Sequence, residues 1–173
     1  NDTHHMQVVE DIKKNFLTLS RGHKFHAIFA TSSIPEAIAY YRLLKANTDL
    51  RITAMFDDND PEDAEVAVDK NNALMEILDD YNNNFGQTFT LSNFGSFKKD
   101  VAYRLAHKNQ YSKVDKDKQL DLLIVVNQML TGFDSKWINV LYLDKLMRQE
   151  NIIQAFSRTN RIFDATKAFG NIV

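Results

Sequence analysis

The amino-acid sequence predicts an α/β fold in which a mostly parallel sheet is flanked by helices. Short, largely apolar segments typical of strands buried on both faces occur at residues 26–30, 51–56, 121–126 and 138–143. Segments with hydrophobic residues at helical spacing precede or separate several of these strands. Because an alternation of strands and helices favours crossover connections, successive strands are expected to run parallel.

The first third of the chain predicts two helices and the connection between two strands. Hydrophobic residues recur at helical spacing over residues 7–19, which predicts an amphipathic helix. Ser33 and Glu36 have the spacing of a capping box, so a second helix is predicted from there to about Lys45. The resulting strand–helix–strand unit predicts a right-handed crossover and a parallel pair formed by its two strands.

Residues 57–118 are predicted to form a largely helical insertion within a single domain that spans residues 1–173. An acidic turn and Pro61 begin the first helix, and Ser96 is predicted to cap the second. Residues 113–118 alternate in charge, which is typical of a solvated connection. The inner face of the first helix is predicted to contain Ala64, Ala67, Val68, Asn71, Met75, Leu78 and Tyr81, and the second helix to contain Phe97, Val101, Arg104, Leu105 and His107.

Composition sets limits on the class of protein. The 173 residues, 44% of them hydrophobic and 25% charged, suit one soluble globular domain. A net charge of −2 gives no bulk attraction to DNA, so any contact with nucleic acid must be local. The absence of cysteine excludes disulfides and thiol chemistry, which fits a cytoplasmic protein, and no apolar segment has membrane-spanning length. Because the chain opens without an initiator Met, we expect it to be part of a longer protein.

Two cations and an amide share one helical face near the end of the sequence. Residues three and four apart lie on the same side of a helix, so Gln154, Arg158 and Arg161 point the same way. A guanidinium offers a rigid fork of donors that fits phosphate oxygens and keeps its charge at working pH. Such a pair suits a site where negative charge builds on a transferring phosphoryl group. The alternative is a solvated basic helix end.

A second segment places ligand-type residues after the predicted strand 121–126. The chain turns at Gly132, where backbone can approach a ligand closely, and reaches Asp134. The strand 138–143 then ends before Asp144. In open α/β sheets, ligands bind beyond the carboxyl ends of the strands, so these residues and the arginine helix are expected at one edge.

These segments resemble the second RecA-like lobe of superfamily 2 helicases and translocases. Gly132-Phe133-Asp134 matches motif V of that superfamily, and Gln154, Arg158 and Arg161 match motif VI, with Ser157 in place of its glycine. The sequences of residues 122–134 and 154–161 are more specific than these motifs, and they resemble the motor (R) subunit of type I restriction–modification enzymes. Residues 25–37 resemble motif IV of the same family. The resemblance covers residues 8–173 and implies a RecA-like, P-loop NTPase-type fold.

The resemblance implies a role in ATP hydrolysis. Arg158 and Arg161 would contact the γ-phosphate as catalytic residues, and Gln154 would orient the site. Gly132 would allow close approach of the ligand, and Asp134 would contact the ribose or the arginines. ATP and Mg²⁺ would be bound mainly by a first lobe missing here, because the sequence contains neither a Gly-x-x-x-x-Gly-Lys-Ser/Thr loop nor an Asp-Glu magnesium motif. The isolated fragment is therefore predicted to hydrolyse no ATP.

The resemblance also implies contact with double-stranded DNA. Thr31, Ser32 and Ser33 lie at a strand-to-helix junction, where free backbone N–H groups bind phosphate, and this edge tracks the DNA backbone in the family. Asn127 would contact DNA or bridge motifs. The implied partners are the first lobe and nuclease domain of the same chain and the modification and specificity subunits of a restriction complex. No metal site is predicted, since the five histidines lack the spacing of metal ligands.

Two alternatives share the same fold class. Another superfamily 2 protein, such as a repair or remodelling helicase, predicts the same chemistry with different partners. A non-enzymatic flavodoxin-like binding module predicts that Arg158 and Arg161 are surface charges. Substituting these arginines separates the motor from the module, because only the motor loses ATP hydrolysis.

Overall fold

A five-stranded sheet forms the centre of the molecule. The computed structural model describes residues 2–56, 64–126, 135–143 and 171–172. The spatial order of the strands is β2-β3-β1-β4-β5, and every described pairing is parallel. The predicted parallel sheet is therefore confirmed. The strands are β1 (His26–Thr31), β2 (Ile52–Met55), β3 (Leu122–Val126), β4 (Ile138–Leu143) and β5 (Asn171–Ile172).

In the described part of the chain, four helices pack around this sheet, and the α/β class is confirmed. They are α1 (Asp2–Leu19), α2 (Ile34–Asn47), α3 (Ala64–Phe85) and α4 (Phe94–Ala106). Short 3₁₀ turns at residues 91–93, 109–111 and 116–118 connect the later elements. None of the described helices combines the length and apolar character needed to cross a membrane. The single-domain boundary and the insertion at 57–118 stay predictions.

The central strands are buried because their sequences are apolar on both faces. Every residue of β1 and β3 is buried, and so are all residues of β4 except Leu143. In α1, the helical spacing of Val9, Ile12 and Phe16 turns three fully covered side chains towards the core. A strand buried on both faces has to lie between helix layers, so this arrangement follows directly from the hydrophobic pattern.

The predicted pairing of the first two strands is wrong. β3 lies between them, so Leu122 is the partner both of Ala27 in β1 and of Ile52 in β2. The chain crosses from β1 to β2 through α2 and returns to the gap through α3 and α4. The physical reason is burial: Leu122–Val126 is uniformly apolar, and the position between two strands covers it on every side.

The inner face of α3 is partly different from the prediction. Asn71 and Met75 are exposed, and Met75 has 51% of its surface open to solvent. Leu78 and Tyr81 are buried as predicted. The helix is rotated relative to the prediction because the buried stripe is apolar throughout, whereas the predicted face would bury the polar Asn71. That stripe consists of Ala73, Leu74, Ile77, Leu78 and Tyr81.

Helix α4 begins two residues before the predicted cap at Ser96. Thr90 and Asn93 form a capping box on the preceding 3₁₀ turn, and Asn93 then stands at the N-cap of α4. Because this turn already supplies the start of the helix, Ser96 lies inside its first turn. The helix ends at Ala106 and does not contain His107 as predicted, because His107 is the C-cap and has a left-handed backbone with φ of 54°.

Candidate functional site at the carboxyl edge of the sheet

Three strands end side by side at one edge of the sheet. Thr31, the last residue of β1, is the register partner of Val126, the last residue of β3. On the other side of β1, Ala30 is the partner of Leu143, the last residue of β4. The chain reaches β2 and β3 on one side of β1 and β4 and β5 on the other. Ligands of open α/β sheets bind at the carboxyl ends where the strand order reverses in this way.

The loop from β1 to α2 gives this edge its polar side chains. Thr31 is fully buried, and its Oγ1 donates to the carbonyl oxygen of Val125 at 2.9 Å. A hydroxyl occupied inside the sheet favours a structural role for Thr31 over the DNA contact predicted for it. Ser32 is exposed at the same edge and is open to a ligand.

Ser33 caps helix α2, as its spacing from Glu36 predicts. The Ser33 backbone is extended, and its Oγ accepts a hydrogen bond from the Glu36 N–H at 3.3 Å. The cap leaves the positive end of the helix dipole at the carboxyl edge, where it favours an anion. Whether Ser32 and Ser33 contact a DNA phosphate stays a prediction.

A histidine–carboxylate contact between two helices supports the same loop. His5 Nε2 in α1 lies 2.7 Å from Glu36 Oε2 in the first turn of α2. The His5 ring also meets the Tyr40 ring edge-on, with centroids 4.7 Å apart. These contacts hold α1 against the start of α2. Sequence reasoning missed them because residues 31 positions apart share no local pattern.

The remaining residues of the predicted site lie outside the described residues. In sequence, Asn127 directly follows β3, and Asp144 directly follows β4. The strands that precede them end at the edge described above. Five further members of the predicted site share this status: Gly132, Asp134, Gln154, Arg158 and Arg161.

A buried carboxylate organises the opposite, amino edge. Asp121 is 1% exposed, and its Oδ1 lies 2.7 Å from His23 Nδ1, while its Oδ2 accepts from the Arg51 N–H at 2.9 Å. Burial raises the pKa of the Asp121 carboxyl, and the hydrogen bond from His23 opposes that rise. One side chain thus ties together the entries to β1, β2 and β3. The available sequence signal was an acid placed directly before a wholly apolar strand.

Two histidines form a second cluster at the amino edge. His26 Nδ1 lies 2.5 Å from the Leu120 carbonyl oxygen, and its Nε2 lies 2.7 Å from His107 Nε2. A carbonyl only accepts, so neutral His26 donates through Nδ1 and accepts from His107 through Nε2. Burial, followed by His107, lowers the pKa of His26 to about 3. The His107 ring stacks on Trp137 at 3.9 Å, and burial, followed by Lys136, lowers its pKa to about 4.

A buried ion pair within α4 contacts Tyr81 of α3 and so fixes the two helices together. Arg104 Nε donates to Asp100 Oδ2 at 3.2 Å and to the Tyr81 hydroxyl at 2.7 Å. The hydroxyls of Tyr81 and Tyr111 both donate to the same carboxylate. The Arg104 guanidinium also lies over the ring of Phe85 at 4.2 Å. These contacts occupy the Arg104 guanidinium inside the fold, so the site has a structural role.

Within the described part of the chain, no group of three or more histidine, cysteine, aspartate or glutamate side chains is arranged to hold a metal ion. The two histidine–carboxylate contacts are separate. His5 with Glu36 lies at the start of α2, and His23 with Asp121 lies at the amino edge. Each pair therefore contributes a polar contact between elements.

Comparison with known proteins adds the deciding observation. The family described as type I restriction enzyme subunit R domain 3 matches residues 23–173, which include all five strands. This chain belongs to that family. The match includes every residue of the predicted site. Helix α1 lies before the matched residues.

Curated members of type I restriction systems are similar over almost the whole chain. The endonuclease subunit SauCOLORF180P of Staphylococcus aureus strain COL is 35% identical over 174 residues, which cover 96% of this chain and 18% of the relative. The subunit SsaAORF53P of Staphylococcus saprophyticus is 37% identical over 175 residues, with the same coverage. The HindI endonuclease subunit of Haemophilus influenzae is 45% identical over 49 residues, or 28% of this chain and 5% of the relative. The chain thus spans 18% of the length of its long-matching relatives.

A solved structure of an ATPase domain also aligns with the chain. The C-terminal part of the Fun30 ATPase domain gives a TM-score of 0.48 at 12% identity. The alignment covers 94% of this chain and 38% of the Fun30 chain.

Proposed function

We propose that this chain is the second RecA-like motor lobe of a type I restriction enzyme R subunit. It supplies motif V and motif VI residues for ATP hydrolysis, which the whole subunit couples to translocation along double-stranded DNA before cleavage. Membership of the R subunit family supports this proposal over a repair helicase or a flavodoxin-like module. The whole subunit acts as an ATP-dependent deoxyribonuclease and translocase in the cytoplasm.

The observation that carries the proposal is the common edge of β1, β3 and β4. Thr31 and Val126 are register partners, and so are Ala30 and Leu143. The sequence that carries motif V follows Val126, and the sequence that carries motif VI follows Leu143. Two segments that leave the strands on either side of β1 at one edge are well placed to share a ligand.

The chemistry of this edge fits a phosphate-bearing ligand. The exposed Ser32 and the capped start of α2 favour an anion there. In the proposal, Arg158 and Arg161 stabilise charge on the transferred phosphoryl group, and Gln154 orients them. Gly132 and Asp134 contact the nucleotide. ATP and Mg²⁺ are held mainly by the first lobe. The phosphate-binding loop with its Lys, and the Asp-Glu magnesium motif, do not occur in this sequence.

The proposed partners follow from the architecture of the restriction complex. Double-stranded DNA contacts Ser32, Ser33 and Asn127, with the salt dependence expected of phosphate contacts. The first lobe and the nuclease domain belong to the same chain. The modification and specificity subunits complete the assembly and provide recognition of the DNA site.

Substituting the motif VI arginines in the full-length protein tests the proposal. Arg158→Ala and Arg161→Ala should each lower DNA-stimulated ATP hydrolysis by roughly 10³-fold, because an arginine finger contributes about that much in related NTPases. Phosphate release measures the rate, and thermal unfolding verifies that each variant folds. The matched control is Arg42→Ala, which removes an exposed arginine of α2 that pairs with Glu76 of α3. Wild-type rates in both arginine variants would refute the motor function.

A further inference from the structure

A single buried hydroxyl joins the two segments that the proposed function assigns to different ligands. We propose that Thr31 is a positioning residue, whose hydroxyl holds the exposed β1–α2 loop in register with the end of β3. This inference rests on the proposed function, in which the loop contacts DNA and the segment after β3 contacts nucleotide. Thr31 then acts through the backbone on both sides of it and touches neither ligand.

The contacts of Thr31 lie on both segments. Its side chain is fully buried, and Oγ1 donates to the Val125 carbonyl oxygen at 2.9 Å. The Ser33 carbonyl oxygen lies 3.4 Å from the same hydroxyl, so it is the weaker acceptor. Exposed Ser32 lies between Thr31 and Ser33 in sequence. The hydroxyl therefore ties the first residue of the turn that presents Ser32 to the end of β3.

The position of Val125 makes this bond a connection between motifs. Val125 is followed by Val126, the last described residue of β3, and then by the sequence that leads to Gly132 and Asp134. A shift of the β1–α2 loop on binding a phosphate would strain the bond to Val125. The reverse holds for a shift at the end of β3. Coupling between two sites needs such a shared contact.

The same sheet contains a matched threonine without this bond. Thr53 in β2 is also fully buried, and its Oγ1 has no hydrogen-bond partner among the residues that the structure describes. Both residues are β-branched, so replacement by valine keeps the side-chain shape and removes only the hydroxyl. The two substitutions thus differ in one respect: Thr31→Val breaks a hydrogen bond, and Thr53→Val breaks none.

The experiment measures DNA-stimulated ATP hydrolysis by the full-length protein. Thr31→Val should raise the DNA concentration needed for half-maximal stimulation by about threefold to tenfold, the factor expected for loss of one buried hydrogen bond. Thr31→Ser keeps the hydroxyl and should stay within about twofold of wild type on the same argument. Thr53→Val should match wild type. Thermal unfolding of each variant separates a loss of coupling from a loss of folding.

Several results would overturn the inference. Thr31→Val with a lower Tm but wild-type half-saturation would show a role in stability alone, and equal defects in Thr31→Ser and Thr31→Val would show that packing at this position, and not the hydroxyl, sets the effect. If Thr31→Val does not fold, Thr31→Ala compared with Thr31→Ser isolates the hydroxyl in its place. A wild-type protein without DNA-stimulated ATP hydrolysis would refute the proposed function itself, before any variant is compared.

Discussion

At the scale of single residues, the amino edge depends on polar groups that are buried and satisfied. Asp121 is tolerated in the core because His23 and the Arg51 N–H supply donors to its two oxygens. His23 accepts a left-handed backbone, with φ of 67°, to reach this carboxylate. Composition shows that such residues exist, but their partners lie 70 and 98 positions apart. Sequence patterns have no access to contacts over that distance.

At the same scale, the pair formed by His26 and His107 makes the stability of the folded protein depend on pH. In the folded protein, the pKa of His26 falls to about 3 and that of His107 to about 4, from an ordinary value of 6.5. Below pH 6.5 the unfolded chain binds protons that the folded protein excludes. The stability that this pair contributes is therefore complete above pH 6.5. It is lost as the pH falls towards the folded pKa values of about 4 and about 3. Between pH 7 and pH 4, the Tm should fall by roughly 5 °C or more from this pair.

His107→Asn tests the origin of that dependence. Asparagine tolerates the left-handed backbone at this position, where φ is 54°, and does not titrate. The variant should lose roughly 2–5 °C less than wild type over the same pH interval, whatever its Tm at pH 7. Thermal unfolding at several pH values measures both slopes. Parallel curves for the two proteins would mean that His107 does not contribute.

At the scale of elements, the sequence predicts where the strands lie in the chain better than it predicts which strands are adjacent in the sheet. The strands 26–30, 121–126 and 138–143 follow from local apolar runs, and the structure confirms them within a residue or two. Burial of a run is a property of its own residues. The insertion of β3 between β1 and β2 is different, because it depends on which arrangement covers most apolar surface. The rotation of α3 away from Asn71 has the same cause.

Two glycines give a matched test of how helices end and begin. Gly86 follows α3 with φ of +64°, and Gly95 lies in the first turn of α4, with open space around both. Gly86→Ala should destabilise the protein by about 1 kcal/mol, because a Cβ strains left-handed backbone. Gly95→Ala should stabilise it by up to about 1 kcal/mol through reduced chain entropy and better helix propensity. Shifts of Tm measure both, and equal shifts of the same sign would contradict the assignment of φ as the cause.

At the scale of the whole molecule, parallel strands turn distant sequence positions into one edge. Thr31, Val126 and Leu143 become neighbours because β1, β3 and β4 run in one direction. The sequence predicts that its ligand-type residues follow strands at one edge, and the structure shows the common edge of the strands themselves. The sequence could not predict that Thr31 is covered while Ser32 is exposed, since that depends on the bond to Val125. Pattern gives the location of a site, and packing decides which side chains remain open.

The division of labour between two lobes predicts that the isolated chain is inactive. This sequence contains no phosphate-binding loop of the Gly-x-x-x-x-Gly-Lys-Ser/Thr type, so it lacks the lysine and backbone cradle that hold the β- and γ-phosphates. Arginines that stabilise a transition state have no substrate to act on without that cradle. The purified 173-residue chain should therefore release phosphate from ATP at the background rate, with or without DNA. Cooperative thermal unfolding must first establish that the fragment is folded, and the full-length protein serves as the active reference; turnover by the folded fragment would place the phosphate cradle inside this chain.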